Sequence, residues 1–194
     1  MSDVLDIKEY DPKSGDIFFF DNNIWMFLFA PIISSHEKKQ RVYANFYQKI
    51  IQNKATIIIT PLILSEFANS YINIQFGIWK SKNAEHYSDV KDIAELRKKI
   101  YYKTTEFKAV ANTIKGDIQS ILKYSEQVSD NFNAINFSNV LNYFGESDFN
   151  DSYYIELARF HHCLPVPNLW KIVTDDADLF KINKKNIPIY SANI

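Results

Sequence analysis

Acidic residues close off the apolar runs of this sequence. Asp21 directly follows Phe18-Phe19-Phe20, and the pair Asp175-Asp176 directly follows Ile172-Val173-Thr174. Glu66 comes early in the helical pattern after Ile57-Ile58-Ile59. Asp148 and Asp151 open another helical pattern, three residues apart and therefore on one face. Carboxylates crowded together repel and raise one another's pKa. No Lys or Arg adjoins any of them in sequence to neutralise them. A divalent cation would do so, and Mg2+ or Mn2+ takes hard oxygen ligands, a few carboxylates with water completing the shell. Such an ion lowers the pKa of a bound water and stabilises charge on a phosphoryl oxygen, the two requirements of phosphodiester hydrolysis.

The elements that must bring these acids together are legible as short apolar runs. Ile17–Phe20, Thr56–Ile59, Lys171–Val173 and Pro188–Tyr190 lack the alternation of a one-sided sheet and read as buried parallel strands. Between them lie helical patterns: Asn22–Phe29, then Glu37–Gln52, whose Val42, Phe46, Ile50 and Ile51 repeat at helical spacing. Thr60 is the expected N-cap of a further helix and Pro61 its first residue. A last helix is expected from near Asp148 to about His162. Strands alternating with helices predict an α/β fold, with a central parallel sheet and helices on both faces. Ligands then bind outside the carboxyl ends of the strands, the edge on which every acid named above falls. Residues from about 80 to 145 show no strand-like run. They read as a helical insertion within one domain spanning 1–194, with Ile93, Leu96, Ile100, Phe107, Val110, Ile114, Ile118 and Ile121 at three- and four-residue steps.

The same residues resemble a family. FFFDNNIW resembles the first motif of PIN domains, placing Asp21 and Asn23. ITPLILSEF is similar to the second, placing Glu66, and SDFNDSYYIELA to the third, placing Asp151 and Ala158. IVTDDADLF resembles the fourth, placing Thr174, Asp176 and Asp178. The motifs occupy the first 75 and the last 50 residues or so, and their order matches. The resemblance implies a three-layer α/β/α PIN-like fold and a metal-dependent ribonuclease acting on RNA. It also implies the toxin of a toxin–antitoxin pair, hence an antitoxin protein partner, and a homodimer. Asp21, Glu66, Asp151 and Asp176 are then the catalytic acids and the ligands of one or two Mg2+ or Mn2+ ions, and a metal-bound water attacks the phosphodiester in line. Asn23 and Thr174 position them. Asp148 is a fifth acid or a cap, Asp176 is preferred over Asp175 by motif alignment, and Asp178 supports. The helical insertion has no counterpart in the family pattern.

Plainer readings stand beside these. Asp21 and Asp148 are both well placed to be helix N-caps. Glu66 shares a helical face with Asn69, Ser70 and Asn73, so it also reads as an ordinary polar-face residue. His161, His162 and Cys163 lack zinc spacing and read as a helix end with cations near the negative dipole. Arg97, Lys98, Lys99 and Lys103, interleaved with Tyr101 and Tyr102, form either an RNA-binding face or a solvated helix face. The net charge of −1 gives no general attraction for nucleic acid. The four scattered glycines exclude a Gly-rich phosphate loop. Nothing approaches the ~18 apolar residues of a membrane helix. A single cysteine and a polar, acidic start without signal-peptide character point to the cytoplasm. Two other classes remain: a PIN-like adaptor without turnover, and a DNA-directed nuclease. A dehalogenase-like phosphatase fits less well, because Asn23 stands where that chemistry wants a second Asp.

Overall fold

The computed structural model describes residues 4–30, 36–88, 90–164, 169–182 and 187–192. Its strands are β1 (Val4–Asp6), β2 (Ile17–Phe20), β3 (Thr56–Ile59), β4 (Glu126–Gln127), β5 (Trp170–Val173) and β6 (Ile189–Ser191). They form one sheet in the order β1-β6-β5-β2-β3-β4, with every pairing parallel. The main helices are α1 (Asn22–Phe29), α2 (Glu37–Gln52), α3 (Pro61–Lys82), α4 (Ile93–Glu95), α5 (Thr105–Lys123), α6 (Phe137–Tyr143), α7 (Phe149–His162) and α8 (Ala177–Ile182).

The fold is α/β with helices on both faces of the sheet, as expected from strands apolar on both sides. Phe18, Phe19 and Phe20 of β2 are all fully buried. Phe19 points to one face, where it stacks on Trp170 at 5.6 Å and meets Tyr154 of α7 at 5.2 Å. Phe18 and Phe20 point to the other, against Phe46 and Tyr47 of α2. An alternating pattern would have left one of these faces wet.

The strand order fixes where a ligand can sit. From β2 the chain moves outward through β3 to β4, then crosses back to β5 on the other flank of β2 and continues to β6. The loops leaving β2 and β5 therefore diverge from neighbouring strand ends, the switch point at which doubly wound sheets bind ligands. Register puts Phe20 beside Val173, so Asp21 and Thr174 leave the sheet side by side.

Several boundaries differ from those expected of the sequence. β1 and β4 carry no sequence signal, and β4 lies in the stretch from about 80 to 145 that reads as purely helical. Both are edge strands of two or three residues, and Glu126-Gln127 is exposed and polar, so neither carries a buried-strand pattern. β5 starts one residue early at Trp170, and β6 runs to Ser191 with Pro188 outside it. Leu96–Ile100 forms a π turn and Tyr101–Lys103 a 3-10 turn before α5 begins. These turns bury Leu96 and Tyr101 against Phe76 and Trp79 of α3, in an apolar cluster separate from the main core. No helix among the described residues is long and apolar enough to cross a membrane.

Two non-glycines, Lys54 and Asn131, lie in the left-handed region among the described residues. Lys54, φ 57°, reverses the chain between α2 and β3, with its N–H on the carbonyl of Ile51 and that of Ala55 on Ile50. This is the helix-end position where glycine is usual. Lys54→Gly is expected to raise stability by about 0.5–1 kcal/mol, the left-handed penalty less glycine's entropy. Thermal unfolding should show a gain of roughly 1–4 °C.

Candidate functional site

The carboxyl ends of β2 and β5 are stitched together by hydrogen bonds centred on Asp21. Asp21 caps α1, and its Oδ1 accepts from the Asn22 N–H at 2.6 Å. Its Oδ2 accepts from the Thr174 hydroxyl at 2.7 Å and from Asn23 Nδ2 at 2.7 Å. The Thr174 oxygen in turn accepts from Asn23 Nδ2 at 3.2 Å and from the Asp176 N–H at 2.9 Å. Asn23 Oδ1 closes the ring by accepting from the Asp175 N–H at 3.2 Å. Three of the roughly four acceptor directions of the Asp21 carboxylate are thereby used, and the group is fixed in one orientation.

The other acids approach from α3 and α7. Asp148 caps α7 by accepting from the Asp151 N–H at 2.9 Å. Glu66, one turn into α3, accepts from the Tyr154 hydroxyl at 2.6 Å and from Asn150 Nδ2 at 3.2 Å. Asn22 donates to Ser70 at 3.1 Å, tying α1 to the same face of α3, while its own Oδ1 is buried without a partner.

Electrostatics show which acids share a field. Asp21 is 4% exposed, and burial raises its pKa from 3.8 to about 7 despite the Thr174 hydrogen bond, with Glu66 and Asp176 adding repulsion. Asp151 is 8% exposed; burial first, then the charges of Asp21, Asp148, Asp176 and Glu66, raise it to about 8. Glu66 is raised by burial and by Asp148, against the hydrogen bonds from Tyr154 and Asn150. Asp21, Glu66, Asp148, Asp151 and Asp176 thus form one acidic cluster. None of the five makes an ion pair with Lys or Arg among the described residues.

Asp16, at the opposite end of β2, shows what a compensated acid looks like in the same fold. Burial pushes it up, but the Lys171 ammonium at 2.8 Å, the Lys13 N–H and the Tyr10 hydroxyl hold it below the ordinary range.

Neighbours in sequence part company here. Asp175 is turned to α2, paired with Lys39 at 2.7 Å and accepting from the Tyr43 hydroxyl at 2.9 Å. Asp176 faces the cluster, and its Oδ1 accepts from the Asp178 N–H at 2.7 Å. The Asp178 carboxylate lies on the surface, paired with Lys181 at 2.5 Å. His161 stacks on Trp170 at 3.9 Å, and His162 lies 3.2 Å from the Trp170 carbonyl. Burial, with His162 beside it, lowers the His161 pKa, so charge on this ring is disfavoured where it packs on Trp170, while Arg159, His161 and His162 do fall in the last turn of α7 as the sequence suggests. Tyr154 and Asn150, the partners of Glu66, are site residues that sequence reasoning misses. Tyr154 follows Asp151 by three residues, a spacing that places it on the same helical face.

No family model, curated protein or solved structure matches the chain. The chemistry of the site therefore rests on its own residues. Its donors are hard oxygens, its acids form no ion pair among the described residues, and a buried amide oxygen is left orphaned beside them. These features fit a hard divalent ion. Against a fully protein-built cage, no three His, Cys, Asp or Glu side chains among the described residues lie close enough to hold one ion between them. An ion of the Mg2+ class needs no such cage, because one or two carboxylates with water complete its shell.

The raised acids give a pH test. Without metal, between about pH 4 and pH 8, the folded chain holds protons at Asp21 and Asp151 that the unfolded chain has released. That contribution to stability is present at the acid end and lost as pH rises through about 7 and 8. In EDTA, the melting temperature should fall from about pH 5.5 to about pH 8.5. Asp151→Asn should raise it at the alkaline end, by roughly 2–4 °C for each ~1 kcal/mol of repulsion relieved. A wild-type profile parallel to that of Asp151→Asn would contradict the cluster.

Proposed function

We propose that this chain is a divalent-metal-dependent endoribonuclease of PIN-like type that hydrolyses RNA phosphodiester bonds. The observation that carries the reading is the cluster of Asp21, Glu66, Asp151 and Asp176 at the switch point of the sheet, with no ion pair to any of them among the described residues. The order of the four motifs supports it. An antitoxin partner and a homodimer belong to this reading through the motif resemblance alone.

Asp21 and Asp176 would hold the ion from the two strand ends, with Asp151 and Glu66 completing the acidic wall. Bound there, Mg2+ or Mn2+ supplies the positive charge that the carboxylates and the scissile phosphoryl oxygens both need. The Thr174 hydroxyl and the Asn23 amide keep Asp21 from rotating, and Tyr154 does the same for Glu66. A carboxylate of the cluster would take a proton from a water whose oxygen attacks phosphorus in line. The bond to the 3′ oxygen breaks and that oxygen takes up a proton from solvent, leaving a 5′-phosphate and a 3′-hydroxyl.

A second reading, a PIN-like binding or adaptor module without turnover, draws on the spacing of the acids, which falls short of a closed cage. Cleavage assays separate the two. Wild type incubated with single-stranded and folded RNA is expected to cut with Mg2+ or Mn2+ and to stop on addition of EDTA. Asp21→Asn can still cap α1 through its amide oxygen, but its amide nitrogen meets the Asn23 donor and cannot accept from Thr174. It should therefore melt below wild type while keeping the wild-type circular dichroism spectrum at assay temperature, and lose at least about a hundredfold in rate. Binding of the ion with no cutting of RNA or of a DNA control would favour the adaptor, and cutting of DNA alone a DNA-directed nuclease.

The split between adjacent aspartates adds a sharper comparison. Asp176→Asn should reduce cutting as Asp21→Asn does. Asp175→Asn should retain most of it while lowering the melting temperature, because it weakens the ion pair to Lys39. Equal loss of cutting in both variants would place Asp175 in the site after all.

A further inference from the structure

The basic stretch singled out in the sequence is sorted by the structure into paired and unpaired charges. Lys99 is paired with Glu95 at 2.8 Å. Lys103 is exposed on the 3-10 turn. Arg97 and Lys98 line a cleft of about 590 Å3 with Asn73, Phe76, Ile93 and Tyr102. The π turn over Leu96–Ile100 puts both charges there, and such turns are frequent at functional sites. Arg97 is held in place: its Nε donates to the Tyr102 hydroxyl at 3.1 Å, one terminal nitrogen donates to Asn73 Oδ1, and its guanidinium lies over the Tyr102 ring. A guanidinium carries five N–H donors, so most of them remain for a ligand. Tyr102 does not offer a bare ring to a base, since Phe107 stacks on it at 4.5 Å. Tyr101 is buried. Tyr102 therefore positions the charge, and neither tyrosine forms a stacking platform.

The cleft is connected to the acidic cluster by one side of α3. Glu66, Ser70 and Asn73 fall on a single helical face at steps of four and three residues, with Asn69 beside them. Glu66 belongs to the cluster, Ser70 accepts from Asn22 next to Asp21, and Asn73 accepts from Arg97. Seven residues of helix span about 10 Å. This face is uncharged beyond Glu66 and rich in amides and hydroxyls, groups that contact phosphate and sugar without repelling them.

We propose that Arg97 and Lys98 grip the phosphate backbone of an RNA strand whose scissile bond lies at the acidic cluster, with the strand running along the Glu66–Asn73 face of α3. The inference rests on the nuclease reading for its substrate. It adds a binding subsite remote from the acids, which explains how a chain of net charge −1 holds a polyanion.

The test uses the full chain carrying Asp21→Asn, so that the probe is not cut, and a short fluorescein-labelled RNA read by anisotropy across a salt series. Lys98→Glu reverses an exposed charge, and Arg97→Ala removes both the charge and the fork. Lys38→Glu, on α2, is the matched control. Lys98→Glu combined with Arg97→Ala is expected to weaken binding at least roughly tenfold and to flatten the slope of log K against log salt by about 1.4, or 0.7 for each lost contact. Lys38→Glu should leave both unchanged. With Asp21 restored, the same pair of substitutions should raise KM with little change in kcat. If wild type cuts RNA but these variants bind and cut as it does, the subsite is wrong and the nuclease stands. If wild type does not cut, yet the variants still lose RNA binding, the subsite stands and the nuclease reading falls. If wild type binds no RNA, or if polyglutamate displaces RNA as well as unlabelled RNA does, the cleft takes no nucleic acid or prefers an acidic peptide, and the proposal is overturned.

Discussion

The hydroxyl of Thr174 is the point on which the site depends. It donates to Asp21 at the end of one strand while accepting from Asp176 and Asn23, so the two central strand ends cannot shift relative to each other without breaking this bond. Parallel pairing of β2 with β5 brings the residues level, and the switch in strand order opens the space above them. A hydroxyl suits the position because it both donates and accepts. Valine there would preserve the β-branched shape but leave Asp21, Asn23 and Asp176 short of partners.

Burial is used differently at the two ends of β2. At its amino end Asp16 is compensated by Lys171, which comes from the neighbouring strand and ties β5 to β2 from below. At its carboxyl end the acids stay together with no ion pair among the described residues, and Asp21 and Asp151 resist ionisation. A structural role alone would be better served by the first arrangement, since uncompensated buried charge destabilises a fold. The cost is concentrated where the polypeptide leaves the sheet, and a cation bound there would relieve it.

Much of this is legible in the sequence, and the rest has a physical reason for being hidden. Runs such as Ile17–Phe20 and Thr56–Ile59 announce strands because four consecutive apolar or β-branched residues suit a strand covered on both faces. Thr60-Pro61 marks the start of α3 through local capping chemistry, and Asp148 marks that of α7 in the same way. The edge strands β1 and β4 escape because three or fewer residues carry no periodicity, and their pairing is decided by what the rest of the chain leaves at the sheet margin. Sequence order also cannot separate Asp175 from Asp176, since which of the two turns outward depends on Lys39 and Tyr43, more than a hundred residues away. Tyr154 and Asn150 are likewise hidden, because their partner Glu66 lies on a different helix. In the basic stretch, composition reveals the charge, while only the π turn shows which side chains it delivers to the cleft.

The Tyr43 hydroxyl has a reach beyond its own helix. It donates to Asp175 and accepts from the Ala192 N–H at 3.0 Å, so α2, the loop after β5 and the residue after β6 meet at one oxygen. Among divergent relatives, positions 39, 43 and 175 should consequently change together, whereas position 176 should change independently of all three. The two adjacent aspartates would then leave separate evolutionary records, one tied to the packing of α2 and one to the acidic cluster.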